Sequence, residues 1–461
     1  MTTPREQALI FASNNSNRFE ETMKELVRIP SVSTDPSTIP AMQQAVEKIV
    51  EILKATGFSQ AEIMQTEGHP VVFGQTRPGQ DNLPTLLIYG HYDVQPADPI
   101  ELWETQPFEP TTRGDRLYGR GTSDMKGQII ASLSAVESIL KQGDIPLNIK
   151  VIFEGEEEIG SPNLPAFIRA HKDMLKCNYI LNPDSGLISA DLPAITYGLR
   201  GLAYFELRFF GPNHDLHSGG FGGTIHNPAQ AICEVIAKMH DANGRITLPG
   251  FYDKVIKLTE NERNEMARLP INDDFYKDIT GVKELWGEKE YSANERIGAR
   301  PTLEINGLLS GFTGSGAKTV LPANAMAKIS MRLVPDQNPE DVYTQLKEFL
   351  NKNVPPTIRW ELTQMAGGSP CIIDPNLPET KAMSDALETV WGIPPVLKRE
   401  GGSIPIVADM QQILGVDSVL TGFSMPEDAI HSPNESQHLP TFHRGVASII
   451  HFIYNLIGKQ A

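Results

Sequence analysis

Three short apolar runs, each too brief for a helix and each ending on residues able to ligate a metal or move a proton, constrain this chain most. Leu86-Leu87-Ile88-Tyr89 closes at Gly90 and His91; Val151-Ile152-Phe153 closes at Glu154 and the acidic run Glu156-Glu157-Glu158; Tyr179-Ile180-Leu181 closes at Asn182-Pro183-Asp184. Runs of this length without alternation read as strands buried on both faces. Between the first two, Ile129, Ile130, Leu133, Val136, Ile139 and Leu140 recur with helical spacing, as Val46, Ile49, Val50 and Leu53 do earlier. Strand, helix and strand in alternation predict an α/β layer around a mostly parallel sheet, whose sites lie in the loops at strand ends.

After Gly201 the pattern changes. Phe205, Leu207 and Phe209 alternate with Glu206 and Arg208, as in a sheet wetted on one face. Asn227-Pro228 then opens a helix with Ile232, Val235, Ile236 and Met239 on one side, followed by a polar insertion from about Asp241 to Arg300. Alternation returns at Ala325, Ala327, Ile329, Met331 and Leu333, then a second Asn-Pro start at Asn338 and a strand around Ile358 to Leu362. This predicts a small α+β sandwich. From about residue 373 a helix to Trp391, a strand at Ser418-Val419-Leu420 and a last helix through Val446, Ile449, Ile450 and Ile453 read as α/β again. The expected organisation is a first domain in two parts, 1–198 and 373–461, interrupted by a second at 199–372.

Composition narrows the partners. With 461 residues, 57 acidic against 40 basic side chains and a net charge of −17, the chain repels phosphate backbones and anionic membrane surfaces. Nucleic acid and membrane are not expected partners. Cys177, Cys233 and Cys371 form no CxxC pair, which disfavours a thiolate zinc site and a disulfide framework. The N-terminus lacks the basic start and apolar run of a secretory signal, so a cytoplasmic location is expected. Gly311-Phe-Thr-Gly-Ser-Gly316-Ala317-Lys318 nearly spells a phosphate loop, but the intervening Ala317 spoils it.

His91 with Asp93, Asp124, Glu157 with Glu158, Asp184 and His431 offer two imidazoles and several carboxylates. This donor set suits zinc, manganese or cobalt rather than a thiolate site or an all-oxygen calcium cage. Two metals sharing a carboxylate would need one further carboxylate, not itself a ligand, as general base and then acid.

These residues lie in motifs with a familiar order. His91-Tyr-Asp-Val-Gln-Pro96, Tyr118-Gly-Arg-Gly-Thr-Ser-Asp-Met-Lys-Gly127, Glu154-Gly-Glu-Glu-Glu-Ile-Gly-Ser161, Asn182-Pro-Asp184, His214-Asp-Leu-His-Ser-Gly219, Arg399-Glu-Gly-Gly-Ser403 and His431-Ser-Pro-Asn-Glu435 resemble the dinuclear zinc peptidases. That family includes carnosine and cytosolic nonspecific dipeptidases, glutamate-releasing carboxypeptidases, aminoacylases and succinyl-diaminopimelate desuccinylase. The resemblance spans nearly the whole chain and is closest to the dipeptidase branch.

The resemblance implies a zinc-peptidase catalytic domain interrupted by a lid and dimerisation domain, with two zinc ions per subunit. It makes His91 and Asp184 the terminal ligands of one ion, Glu158 and His431 those of the other, and Asp124 the bridge. Glu157 becomes the general base, and Asp93 accepts a hydrogen bond from His91 and orients its ring. His217 would reach the partner subunit's site in a homodimer and stabilise the oxyanion. Arg332, Gly402 and Ser403, with Thr319 across the dimer, would hold the carboxylate of a small peptide substrate. The implied activity is dipeptide hydrolysis, with N-acyl amino acid deacylation, carboxypeptidase action or a catalytically dead metal-binding role as alternatives. Relatives of the carnosine type tend to carry a histidine before Gly-Gly where this chain has Ala366, so carnosine is not the expected substrate.

Overall fold

The computed structural model describes residues 2–80 and 82–458. The chain forms two compact units: residues 1–197, 373–398 and 406–461 make the first, residues 198–372 and 399–405 the second.

In the first unit the three apolar runs are strands. Thr85–His91 and Asn148–Glu154 are buried at every position and pair in parallel; Tyr179–Asn182 joins the other side of Thr85–His91, and Ser418–Leu420 pairs in parallel beyond it. Val71–Gln75 and Gln60–Met64 add antiparallel strands on the far side of Asn148–Glu154. The sheet is thus parallel at its centre, where apolar residues cover both faces.

The helix Lys126–Leu140 is buried at all positions but its last. It packs against Leu439–Gly458 and Ser16–Val27, and its contact with the loop before it is tight enough that a Cβ on Gly127 would lie 2.0 Å from the Thr122 carbonyl oxygen. Only glycine permits that approach. One continuous core joins Ile88, Val151, Ile129, Val136, Phe423, Ile449 and Ile453.

The second unit is an antiparallel sheet in the order Thr302–Ser310, Asn324–Leu333, Gly201–Phe210, Arg359–Gly368. Phe205, Leu207, Phe209, Ala327, Ile329 and Met331 face the helices Pro228–Ile236 and Pro339–Asn353, whose Ile232, Val235, Val342, Leu346 and Leu350 complete a separate core. Asn227 and Asn338 cap these helices through their side-chain oxygens, as the Asn-Pro starts predict. The polar insertion carries three short helices, Glu260–Ala267, Asp273–Thr280 and Ala293–Ala299, two of them opened by capping boxes. No helix among the described residues is long and apolar enough to cross a membrane.

Candidate functional site

The parallel strands bring their acidic and imidazole-bearing ends together in the first unit. His91 ends its strand fully buried, with Nε2 3.1 Å from Asp124 Oδ1 and 3.8 Å from Asp184 Oδ1. His431 Nε2 lies 2.9 Å from Asp124 Oδ2 and 3.2 Å from Glu158 Oε2. His91, Asp124 and Asp184 form one set of potential ligand atoms, all within 4.8 Å of one another, and Asp124, Glu158 and His431 form a second. Asp124 is common to both and offers a different oxygen to each histidine. Nitrogen and oxygen donors in two sets linked by a carboxylate fit a pair of divalent cations.

The Asp124 loop is held from below. Buried Glu435 accepts hydrogen bonds from the main-chain N–H groups of Gly121, Ser123 and Asp124 at 3.0–3.1 Å, and its Oε2 lies 2.7 Å from Arg120 Nη1. Asp428 accepts from Ser123 Oγ and Arg116 Nη1, each at 2.7 Å. The sequence placed Glu435 in the His431 motif but gave it no role. A buried acid a few residues from a ligand was the only signal for this cradle.

The acidic triplet divides in three directions. Glu156 turns away, accepting from Asn163 Nδ2 at 3.0 Å and the His69 N–H at 3.2 Å. Glu158 faces His431 and takes a 2.9 Å hydrogen bond from Gln95 Nε2. The Glu157 carboxylate makes no hydrogen bond to any described residue. Burial pushes its pKa well above the usual carboxylate range, and the charges of Asp184, Asp124 and Glu158 add to the effect while His91 opposes it.

Asp93 is fully buried, and its carboxylate accepts the main-chain N–H of Glu157 at 3.2 Å and of Glu158 at 3.1 Å. His91 Nδ1 lies 3.0 Å from the Asp93 carbonyl oxygen and 3.4 Å from its carboxylate. The main chain of Asp93 is therefore the nearer partner of the ring, and its carboxylate chiefly fixes the Glu157–Glu158 turn. The expected ring-orienting bond to the carboxylate is the longer of the two.

Charge follows geometry. Burial alone would push the His91 imidazole down, but hydrogen bonds with Asp124, Asp184 and Asp93 carry it well above its ordinary value. Hydrogen bonds that His431 donates to Asp124 and Glu158 raise it to about 10. Burial would raise Asp124, yet the two imidazoles hold it well below the usual range. His431 is presented on a turn in which Ala429, His431 and Asn434 all take left-handed backbone, with φ of 56°, 61° and 64°. The Asn434 side chain ties this turn to Leu102 O and the Glu104 N–H.

The remaining candidates lie in the second unit. Arg332 Nη1 donates to Ser403 Oγ at 2.8 Å, beside Gly402, while Ser403 Oγ donates to the Arg200 carbonyl. His217 is exposed and accepts the Gly219 N–H at 3.0 Å through Nδ1, at the start of the turn Ser218–Phe221. Thr319 lies next to it, its carbonyl accepting the Ser218 N–H at 3.0 Å.

The pattern of Peptidase family M20/M25/M40 matches residues 87–455. The chain is 33% identical over 458 residues to the Cys-Gly metallodipeptidase of Schizosaccharomyces pombe, covering 95% of this chain and 96% of that one. Its fold is similar to that of the M20 family metallo-carboxypeptidase of Sulfolobus solfataricus, with a TM-score of 0.84, 32% identity and coverage of 95% and 99%. It is also similar to human carnosine dipeptidase 1, with a TM-score of 0.81, 30% identity and coverage of 99% of both chains.

Proposed function

Because this chain belongs to Peptidase family M20/M25/M40, we propose that it is a metal-dependent dipeptidase with two zinc ions in the paired ligand sets. The observation that carries this reading is the division of labour around Asp124: each of its oxygens faces a separate histidine, and Glu157 stands beside both sets with its carboxylate unbonded. The likeness to a Cys-Gly metallodipeptidase over nearly the whole chain supports a dipeptide substrate.

His91 and Asp184 would hold one ion and Glu158 and His431 the other, with Asp124 offering a carboxylate oxygen to each set. When bound, the ions would polarise the scissile carbonyl and lower the pKa of the attacking water. Glu157, whose carboxylate makes no hydrogen bond to any described residue, would take the proton of that water and deliver it to the departing amine. Asp93 keeps the Glu157–Glu158 turn in place. Arg332, steadied by Ser403 beside Gly402, pairs with the substrate's terminal carboxylate, with Thr319 contributing. His217 donates to the developing oxyanion of a partner subunit in a homodimer. A cytoplasmic enzyme fits the three cysteines, among which no disulfide forms.

The likeness to a metallo-carboxypeptidase favours a second reading, removal of a C-terminal residue from longer peptides. The test is hydrolysis of dipeptides, tripeptides and N-acetyl or N-succinyl amino acids by metal-stripped protein with zinc or manganese restored. Metal-dependent cleavage confined to dipeptides is expected. Cleavage of acyl substrates alone would make the protein a deacylase, and inertness toward every substrate would leave a metal-binding role.

A further inference from the structure

The second unit contains a cavity of about 440 Å³ on the sheet face opposite its helix-covered core. Thr302, Glu304, Ser330 and Arg332 line it from the strands, and the insertion supplies Glu288, Arg296 and Arg300. Its charge is unusual for this chain. Four arginines, Arg200, Arg296, Arg300 and Arg332, face two carboxylates, Glu288 and Glu304, a surplus of two positive charges in a protein whose net charge is −17.

The partners sort the arginines. Arg300 pairs with Glu288 through Nε and Nη2. Arg296 spends Nε and Nη1 on the carbonyls of Glu288 and Trp286. Arg200 is 8% exposed, yet Nε and Nη1 meet only carbonyl oxygens, those of Gly401, Arg296 and Arg300. Arg332 meets only Ser403 Oγ. Neither Arg200 nor Arg332 has a carboxylate within ion-pair distance among the described residues. Ser403 links them, accepting from one side chain and donating to the other's main chain. Burial, and then the charge of Arg332, bring the Arg200 guanidinium down to about 10. The charge of Glu304 acts on Arg200 from beyond ion-pair distance, and a buried cation with no directly paired carboxylate favours an anion that can reach it.

One anion is already assigned: the substrate's terminal carboxylate, at Arg332. It offsets only one of the two surplus charges. We propose that the cavity takes a second carboxylate of the same substrate, at Arg200, so that the preferred dipeptides end in aspartate or glutamate. This rests on Arg332 being the terminal-carboxylate anchor. Glu304, which carries the cavity's other unpaired charge, limits the preference by repelling the incoming acid.

Hydrolysis of Ala-Glu, Ala-Gln and Ala-Gln amide by the metal-loaded enzyme separates the two ideas. Ala-Glu is expected to exceed Ala-Gln in kcat/KM by about ten-fold, the scale of one charge-assisted hydrogen bond. Equal or lower turnover of Ala-Glu overturns the second-carboxylate site. Equal turnover of Ala-Gln and its amide instead overturns the anchor at Arg332. Arg200→Gln should abolish the Glu-over-Gln preference, and Glu304→Gln should enlarge it; a ratio unchanged in Glu304→Gln, or persisting in Arg200→Gln, refutes the assignment. If no dipeptide is cleaved, calorimetry of free glutamate against glutamine decides: tighter glutamate binding supports the site, equal binding sinks it.

Discussion

Asp93 holds Glu157 by its main chain, not its side chain: the Asp93 carboxylate accepts the Glu157 N–H at 3.2 Å and leaves the Glu157 carboxylate unbonded. The proposed base is thus fixed at its root and open at its tip. Glu157→Gln should retain fold and metal while kcat falls about 10²- to 10⁴-fold. Steady-state kinetics with metal analysis checks this; near-normal kcat would remove Glu157 from proton transfer.

Asp93→Asn keeps one acceptor oxygen for the turn and leaves the carbonyl that His91 Nδ1 meets unchanged. It should therefore lower activity more than metal content, whereas Asp93→Ala should lower both, by about 10- to 100-fold in affinity or rate. Metal titration of the two variants side by side distinguishes the roles; full zinc content and activity in Asp93→Ala would refute both.

Asp124 belongs to both potential ligand sets and His431 to one. Asp124→Ala should bring bound metal from about two ions per chain to well below one, while His431→Ala should leave about one. Equilibrium dialysis with elemental analysis reads the difference, and equal stoichiometry in the two variants would contradict a shared bridge.

Protons compete with the cations. The folded pKa of His431, about 10, lies above its ordinary 6.5, so in metal-free protein the ion pairs with Asp124 and Glu158 contribute fully below pH 6.5. That contribution is lost as pH rises toward 10. Metal binding near pH 7.5 should accordingly release about one proton per histidine-containing set, measurable by calorimetry in buffers of different ionisation enthalpy. Buffer-independent heats would show that the imidazoles are already neutral.

Glu435→Gln breaks a buried ion pair with Arg120 and weakens three main-chain hydrogen bonds to the Asp124 loop. A loss of about 3–5 kcal/mol is expected in urea unfolding, since the arginine is left without its counter-charge. Metal content should fall as well; unchanged stability would mean that the loop stands without its cradle.

Much of this was legible because buried parallel strands write themselves as unbroken apolar runs, and because each run stops where His91, Glu154 or Asn182 stops it. The residues of both potential ligand sets, which the strand ends bring together, were named from motifs alone. Other parts were hidden for physical reasons. The strand Thr302–Ser310 escaped because a register shift between Ile305 and Gly307 breaks its alternation and leaves Leu308 and Leu309 exposed. The short insertion helices lack a long apolar stripe and depend on end caps instead. The main-chain partner of His91 had no side-chain signature, and neither did the paired cations at Arg200 and Arg332, which adjoin only through the fold.

The turn that presents His431 sets the two cations apart. His91 sits at the end of a strand that its neighbours hold rigid, whereas His431 rides on three left-handed residues within six positions, each costing up to about 1–2 kcal/mol relative to ordinary backbone. An ion bound there offsets that cost and is itself held less tightly for doing so. Under a falling metal supply the His431 ion should leave first, and the segment 429–434 should then become the earliest point of proteolytic attack. Scarcity of metal would thus be recorded in the backbone of the turn that carries His431.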